Sequence, residues 1–105
     1  MKRKYMWFAL SKVAGIEASH ISRIVSRIGD IEAVFRMKKN QLRQMLELLR
    51  IPERIIEPIL IVREFDYSSE LHMLQEEGIN FITVDDIEYP ERLKNIPDSP
   101  YYLYY

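Results

Sequence analysis

The sequence predicts a mainly α fold: a small helical bundle over residues 1–77, followed by a short β-α-β segment over residues 78–105. Three observations carry this. Apolar residues recur at i, i+3, i+4 and i+7 through the first part, the spacing of helices with one buried face. Gly15, Gly29 and Gly78 interrupt that pattern where chain reversals are needed. After Gly78 the period changes, and Ile79-Asn80-Phe81-Ile82-Thr83-Val84 is rich in strand-forming residues.

Taken in order, residues 5–12 predict a first helix with Trp7 and Leu10 on one side. Val13 to Ala18 form a turn around Gly15, and Ser19 is the expected N-cap of the second helix. That helix carries the stripe Ile21, Ile24, Val25 and Ile28, with Arg23 and Arg27 as neighbours on another face. Gly29 stops it and Asp30 caps a third helix containing Ile31, Val34 and Phe35. Leu42, Met45, Leu46 and Leu49 define a fourth. Pro52 opens a fifth, which is expected to kink or restart at Pro58 and to run on through Phe65, Tyr67, Leu71 and Leu74 to Glu77. A strand over 79–84, a short helix at Pro90–Asn95, a turn at Ile96–Pro100 and a strand over 101–105 complete the chain.

With 48% hydrophobic and 30% charged residues, the composition is that of a folded globular chain. No apolar run reaches the roughly 18 residues of a membrane span. The basic-then-apolar start is broken by Ser11-Lys12 without a small-residue cleavage site, so export is not expected. The absence of cysteine excludes disulfides, thiolate metal sites and cysteine nucleophiles, and fits a cytoplasmic protein. The net charge of −1 conceals an asymmetry. Residues 1–54 hold twelve basic side chains against five acidic ones, whereas residues 55–105 hold three against eleven. The basic half is a candidate anion-binding face, and two ordinary solvated surfaces are the alternative.

Enzymatic chemistry is not expected, nor is a cofactor. His20 and His72 are far apart in sequence and lack companion ligands, Asp85-Asp86 reads as a turn, Ser11 and Ser68-Ser69 have no evident base, and no glycine-rich phosphate motif occurs. The tyrosines at 101, 102, 104 and 105 could stack on bases, but a half-buried strand is the simpler account. Two strands joined through a helical connection read as the opening of a parallel sheet, which normally needs further strands and cover on both faces. The expectation is therefore of a sheet completed elsewhere, with self-association through the aromatic edge strand.

The run from Asp85 to Tyr104 carries an acidic turn with Asp86, then Tyr89-Pro90, Leu93, Ile96-Pro97-Asp98, Pro100 and the Leu103-Tyr104 strand. It resembles the segment preceding the nucleotide-fold core of the DNA-processing protein A family (DprA, also called Smf). Upstream, Trp7, Leu10, Gly15 and the Ile/Val stripe are similar to that family's N-terminal domain. The resemblance implies a SAM-like, helix-hairpin-helix-like bundle followed by the first β-α-β segment of a Rossmann-like core. It also implies single-stranded DNA binding, loading of the RecA recombinase and a role in natural transformation and competence. None of the core's glycine-rich residues is present to carry over. Gly15-Ile16-Glu17 also departs from the phosphate-binding hairpin pattern, because Glu17 sets a carboxylate where a phosphate would lie, which favours a structural hairpin.

Two functions stay open. In the first, the chain is an accessory nucleic-acid module binding single-stranded DNA weakly through Lys12, Arg23, Arg27, Lys38, Lys39 and Arg43. In the second, it is a protein-interaction or dimerisation domain for RecA, another recombination or competence protein, or its own copy.

Overall fold

Phe8 is fully buried, and the helix that carries it, α1 (Arg3–Ser11), is the element on which most others pack. The computed structural model describes residues 3–95 and 99–105. Five further α-helices follow: α2 (Ala18–Ile28), α3 (Ile31–Arg36), α4 (Lys39–Leu48), α5 (Glu53–Val62) and α6 (Ser68–Glu76). Strand β1 (Phe81–Thr83), a 3-10 helix at Glu91–Asn95 and strand β2 (Tyr102–Tyr104) complete the described chain. It is mainly helical, as its periodicity implied.

The stripes form one core. Met6, Trp7, Phe8, Ala9 and Leu10 of α1 meet Ile21 and Ile24 of α2, Ile31 and Val34 of α3, Leu42 and Leu46 of α4, five apolar residues of α5, and Leu71 of α6. Phe81 of β1 belongs to the same cluster, its ring 5.3 Å from that of Phe8 at 78°. Such an edge-to-face pair adds about 0.5–1.5 kcal/mol beyond its buried area.

Several local expectations are corrected. The N-cap of α2 is Glu17, not Ser19. Glu17 has extended backbone, and its N–H donates to Nδ1 of His20 at 3.0 Å, while its carboxylate accepts from the His20 backbone. This reciprocal box starts the helix earlier than a lone serine would. The long fifth helix is two helices: α5 runs through Pro58 without restarting, and the break comes at residues 63–67. There the Ser68 N–H donates to Asp66 Oδ1 at 2.9 Å, a local bond that competes with helix continuation. Pro52 is the N-cap of α5 rather than its first residue. Gly29 and Asp30 act as expected, with Asp30 Oδ1 accepting from the Glu32 N–H.

The β-α-β expectation is overturned. The strands pair antiparallel, with Phe81 opposite Tyr104, Ile82 opposite Leu103 and Thr83 opposite Tyr102. Both are shorter than the predicted 79–84 and 101–105. A parallel pair needs a crossover that returns the chain to its starting end. Here the described part of the connection holds a 3-10 helix and folds on itself. Asp86 Oδ2 accepts the Thr83 N–H at 2.7 Å, and buried Tyr89 donates its hydroxyl to the Pro100 carbonyl. A two-stranded sheet is marginal alone. This one is covered by α1, where Trp7 stacks on Tyr101 with ring centroids 5.4 Å apart.

Candidate nucleic-acid interface

The six cations expected to contact DNA do not share one face. Lys12, at the end of α1, pairs with Glu70 of α6 and lies 4.8 Å from the centroid of the Phe8 ring. Arg43 of α4 donates to Glu53 at 3.0 and 3.1 Å and also pairs with Glu57, which holds its guanidinium proton more firmly. These two charges are therefore cancelled locally. Arg27, Lys38 and Lys39 are exposed and form no ion pair with a described residue. Lys38 and Lys39 stand at the start of α4, where the helix dipole disfavours cations.

Arg23 lies at the other end of α4, about 15 Å away along a ten-residue helix. Its Nη1 donates to the carbonyls of Leu49 and Arg50 at 3.1 and 3.3 Å, taking up carbonyls that the helix end leaves free. The α4 terminus is a Schellman turn: the Ile51 N–H reaches the Leu46 carbonyl and the Arg50 N–H that of Glu47. Arg50 occupies its left-handed position with φ of 60°, where glycine is usual. An L residue there costs roughly 1–2 kcal/mol.

Arg54, in the first turn of α5, reaches the hairpin between α1 and α2. Its Nη1 is 3.1 Å from the point where a Cβ on Gly15 would stand, and Gly15 has φ of +81°. The positive φ keeps this position glycine, since the exposed Arg54 guanidinium can give way to a Cβ. Between these cations lies His20, only 5% exposed. Burial, then the nearby Arg23 and Arg54, lower its proton affinity, with Glu17 opposing them. Because Nδ1 accepts the Glu17 N–H, the neutral ring carries its proton on Nε2.

Arg54 thus stands beside the Gly15 turn, while Arg23 holds the end of α4 at the Leu49 and Arg50 carbonyls, and both act on His20 although they are distant in sequence. Arg50 and Arg54 were not expected at the site. The only sequence signal for Arg50 was a residue at a helix end lacking the usual glycine. None of the three forms an ion pair with a described residue.

The described residues of the Asp86–Tyr104 motif, with Gly15, take part in turns, strand pairing and packing. Gly15 makes the hairpin turn, and Asp86 closes the turn after β1. Tyr89 and Pro100 tie the connection, and the Pro90 carbonyl accepts the Leu93 N–H at the start of the 3-10 helix. Leu93 is half-buried, Leu103 pairs with Ile82, and the Tyr104 hydroxyl meets that of Ser11 at 2.7 Å. Asp98 lies outside the described residues. The carboxylates of Asp85-Asp86 are engaged within the chain. Asp85 accepts from Arg3 and from Trp7 Nε1 at 3.0 Å, and Asp86 is 3.7 Å from Lys4.

Among the described residues no cluster of His, Asp or Glu side chains could hold a metal ion, and no helix is long and apolar enough to cross a membrane. No family model, curated protein or solved structure matches this chain.

Proposed function

We propose that the chain is the SAM-like N-terminal module of a DprA-like DNA-processing protein, a cytoplasmic, non-catalytic accessory domain that holds single-stranded DNA. The observation that carries this reading is that Arg23 at the end of α4, Arg50 within that helix end and Arg54 beside the Gly15 turn each lack a carboxylate partner among the described residues. Unpaired guanidinium groups neutralise phosphates without reading bases, so binding is weak, sequence-independent and steeply salt-dependent. The contact set is accordingly moved from Lys12 and Arg43 to these arginines.

The test is a fluorescence-anisotropy titration of a labelled single-stranded oligonucleotide at low and at physiological salt. Replacing Arg23, Arg50 and Arg54 together by Glu is expected to weaken binding about tenfold or more and to reduce the salt slope by about one per lost phosphate contact. The control triple Arg27→Glu, Lys38→Glu, Lys39→Glu makes the same change in net charge at dispersed positions and should weaken binding less. Equal losses in both triples would refute the localisation. A wild-type protein that leaves the oligonucleotide free at low salt would refute DNA binding altogether.

The internal cancellation of Lys12 and Arg43 favours a second reading, a protein-interaction domain for RecA or another recombination partner. That reading is preferred if the wild type shows no anisotropy change.

A further inference from the structure

The antiparallel pairing leaves the two edges of the sheet in different states. Asn80 and Tyr105 exchange both backbone bonds, at 2.7 and 2.9 Å, and the Val84 N–H reaches the Tyr101 carbonyl. By the alternation of an antiparallel ladder, Leu103 bonds inward to Ile82, while the backbone groups of Phe81, Thr83, Tyr102 and Tyr104 point outward. On β1 the outward N–H and carbonyl of Thr83 are both taken by the Asp86 turn, leaving only those of Phe81 without a described partner. On β2 the outward groups of Tyr102 and Tyr104 bond to no described residue. Edges of this kind are ordinarily guarded by a charge, a proline or a bulge. Tyr102-Leu103-Tyr104 has none of these, and burial pushes the Tyr102 phenol up to about 12, so the strand stays uncharged.

The segment Tyr101-Tyr102-Leu103-Tyr104-Tyr105 is a palindrome about Leu103. We propose that β2 is the dimerisation edge of this protein, joining antiparallel to β2 of a second copy across a two-fold axis at Leu103. In that register Tyr102 of each copy exchanges its free N–H and carbonyl with Tyr104 of the other. The two Leu103 side chains meet at the axis, and each Tyr101 lies opposite Tyr105 of the other copy. The isologous pairing uses the same groups twice, as two-fold dimers require. Tyr105 is 64% exposed, and a cleft of about 190 Å³ lined by Ile16, Ala18, Ile21, Pro100, Tyr101 and Tyr102 lies at the strand end where it would arrive. With no charge on the strand, two identical copies meet without repulsion. The interface is small, which places the dimer among transient, concentration-dependent associations. It is independent of the DNA-binding reading, since it uses none of the arginines.

Sedimentation velocity over a concentration series tests it. The mass is expected to rise from 12.6 kDa towards twice that value at high micromolar protein. Leu103→Lys and Leu103→Glu should each keep the protein monomeric, because like charges then face each other at the axis, and an equimolar mixture of the two should restore the dimer. A mixture that stays monomeric, or dimers unaffected by either change, overturns the proposal, as does a wild type that stays monomeric throughout. Amide exchange on the wild type decides the matter if the variants fail to fold. The Tyr102 and Tyr104 amides should become protected as concentration rises, and free exchange in a dimeric sample overturns the pairing.

Discussion

The junction of α1 with the β hairpin and the junction of α2 with α4 and α5 are both built by basic residues, yet they end in opposite electrostatic states. At the first, Arg3 pairs with both Asp30 and Asp85, Lys4 approaches Asp86, and Lys12 meets Glu70. At the second, Arg23 meets only carbonyl oxygens, and Arg50 and Arg54 have no carboxylate among the described residues. A guanidinium on a carboxylate loses its net charge to the surroundings, whereas one on a neutral carbonyl keeps it. The positive excess of residues 1–54 therefore survives at Arg23, Arg50 and Arg54, whereas it is neutralised on the α1 side and at Arg43, which pairs with Glu53 and Glu57 of α5.

The same comparison ranks the consequences of mutation. The α1 side is where stability is concentrated. Trp7 is 2% exposed, stacks on Tyr101 and donates to Asp85, so Trp7→Ala should cost about 3–5 kcal/mol, read as a loss of thermal midpoint. Survival of the fold with a loss below about 1 kcal/mol would break the comparison.

On the α2–α5 side stability and charge should run in opposite directions. Arg50→Gly relieves a left-handed backbone at an exposed position and should stabilise the protein by about 0.5–1 kcal/mol, after allowance for the greater freedom of an unfolded glycine. It should at the same time weaken oligonucleotide binding. If Arg50→Gly destabilises, the side chain has a packing role that the comparison denies.

The smallest effect concerns His20. Its proton affinity is lowered in the fold, so the unfolded chain takes up a proton first as pH falls through the ordinary value near 6.5. Stability contributed by neutral His20 is complete above that value and declines below it, as protonation of Nδ1 would break the bond that caps α2. Chemical-denaturation midpoints should therefore drop between pH 7 and more acidic buffers around pH 5.5, and His20→Asn should flatten that slope.

Much of the bundle was legible in the chain because its signals are local. The stripe at Ile21 and Ile24, the Gly29-Asp30 break, and Leu42 with Leu46 all occupy the buried or capping positions their spacing implied. Errors arose where two local signals competed. Ser19 was a plausible cap, but Glu17 with His20 offered two bonds instead of one. The apolar pattern continued past Val62, but Asp66 and the serines after it offered a turn.

The sequence marked the basic half but not which of its cations stay without a carboxylate partner among the described residues. Lys12 and Glu70 are 58 positions apart, and Arg3 and Asp85 are 82 apart. Nothing in the spacing of either pair foretells the match, because ion pairing depends on distance in space. Arg54 faces the Gly15 turn for the same reason.

Helical content, core stripes and the charge imbalance were thus determined by the sequence alone, since each follows from a period or a composition within a short window. Strand direction, the partner of each paired cation and the state of the β2 edge were decided by tertiary structure. They depend on how distant segments approach once α1 is buried between them, and no local preference encodes that approach.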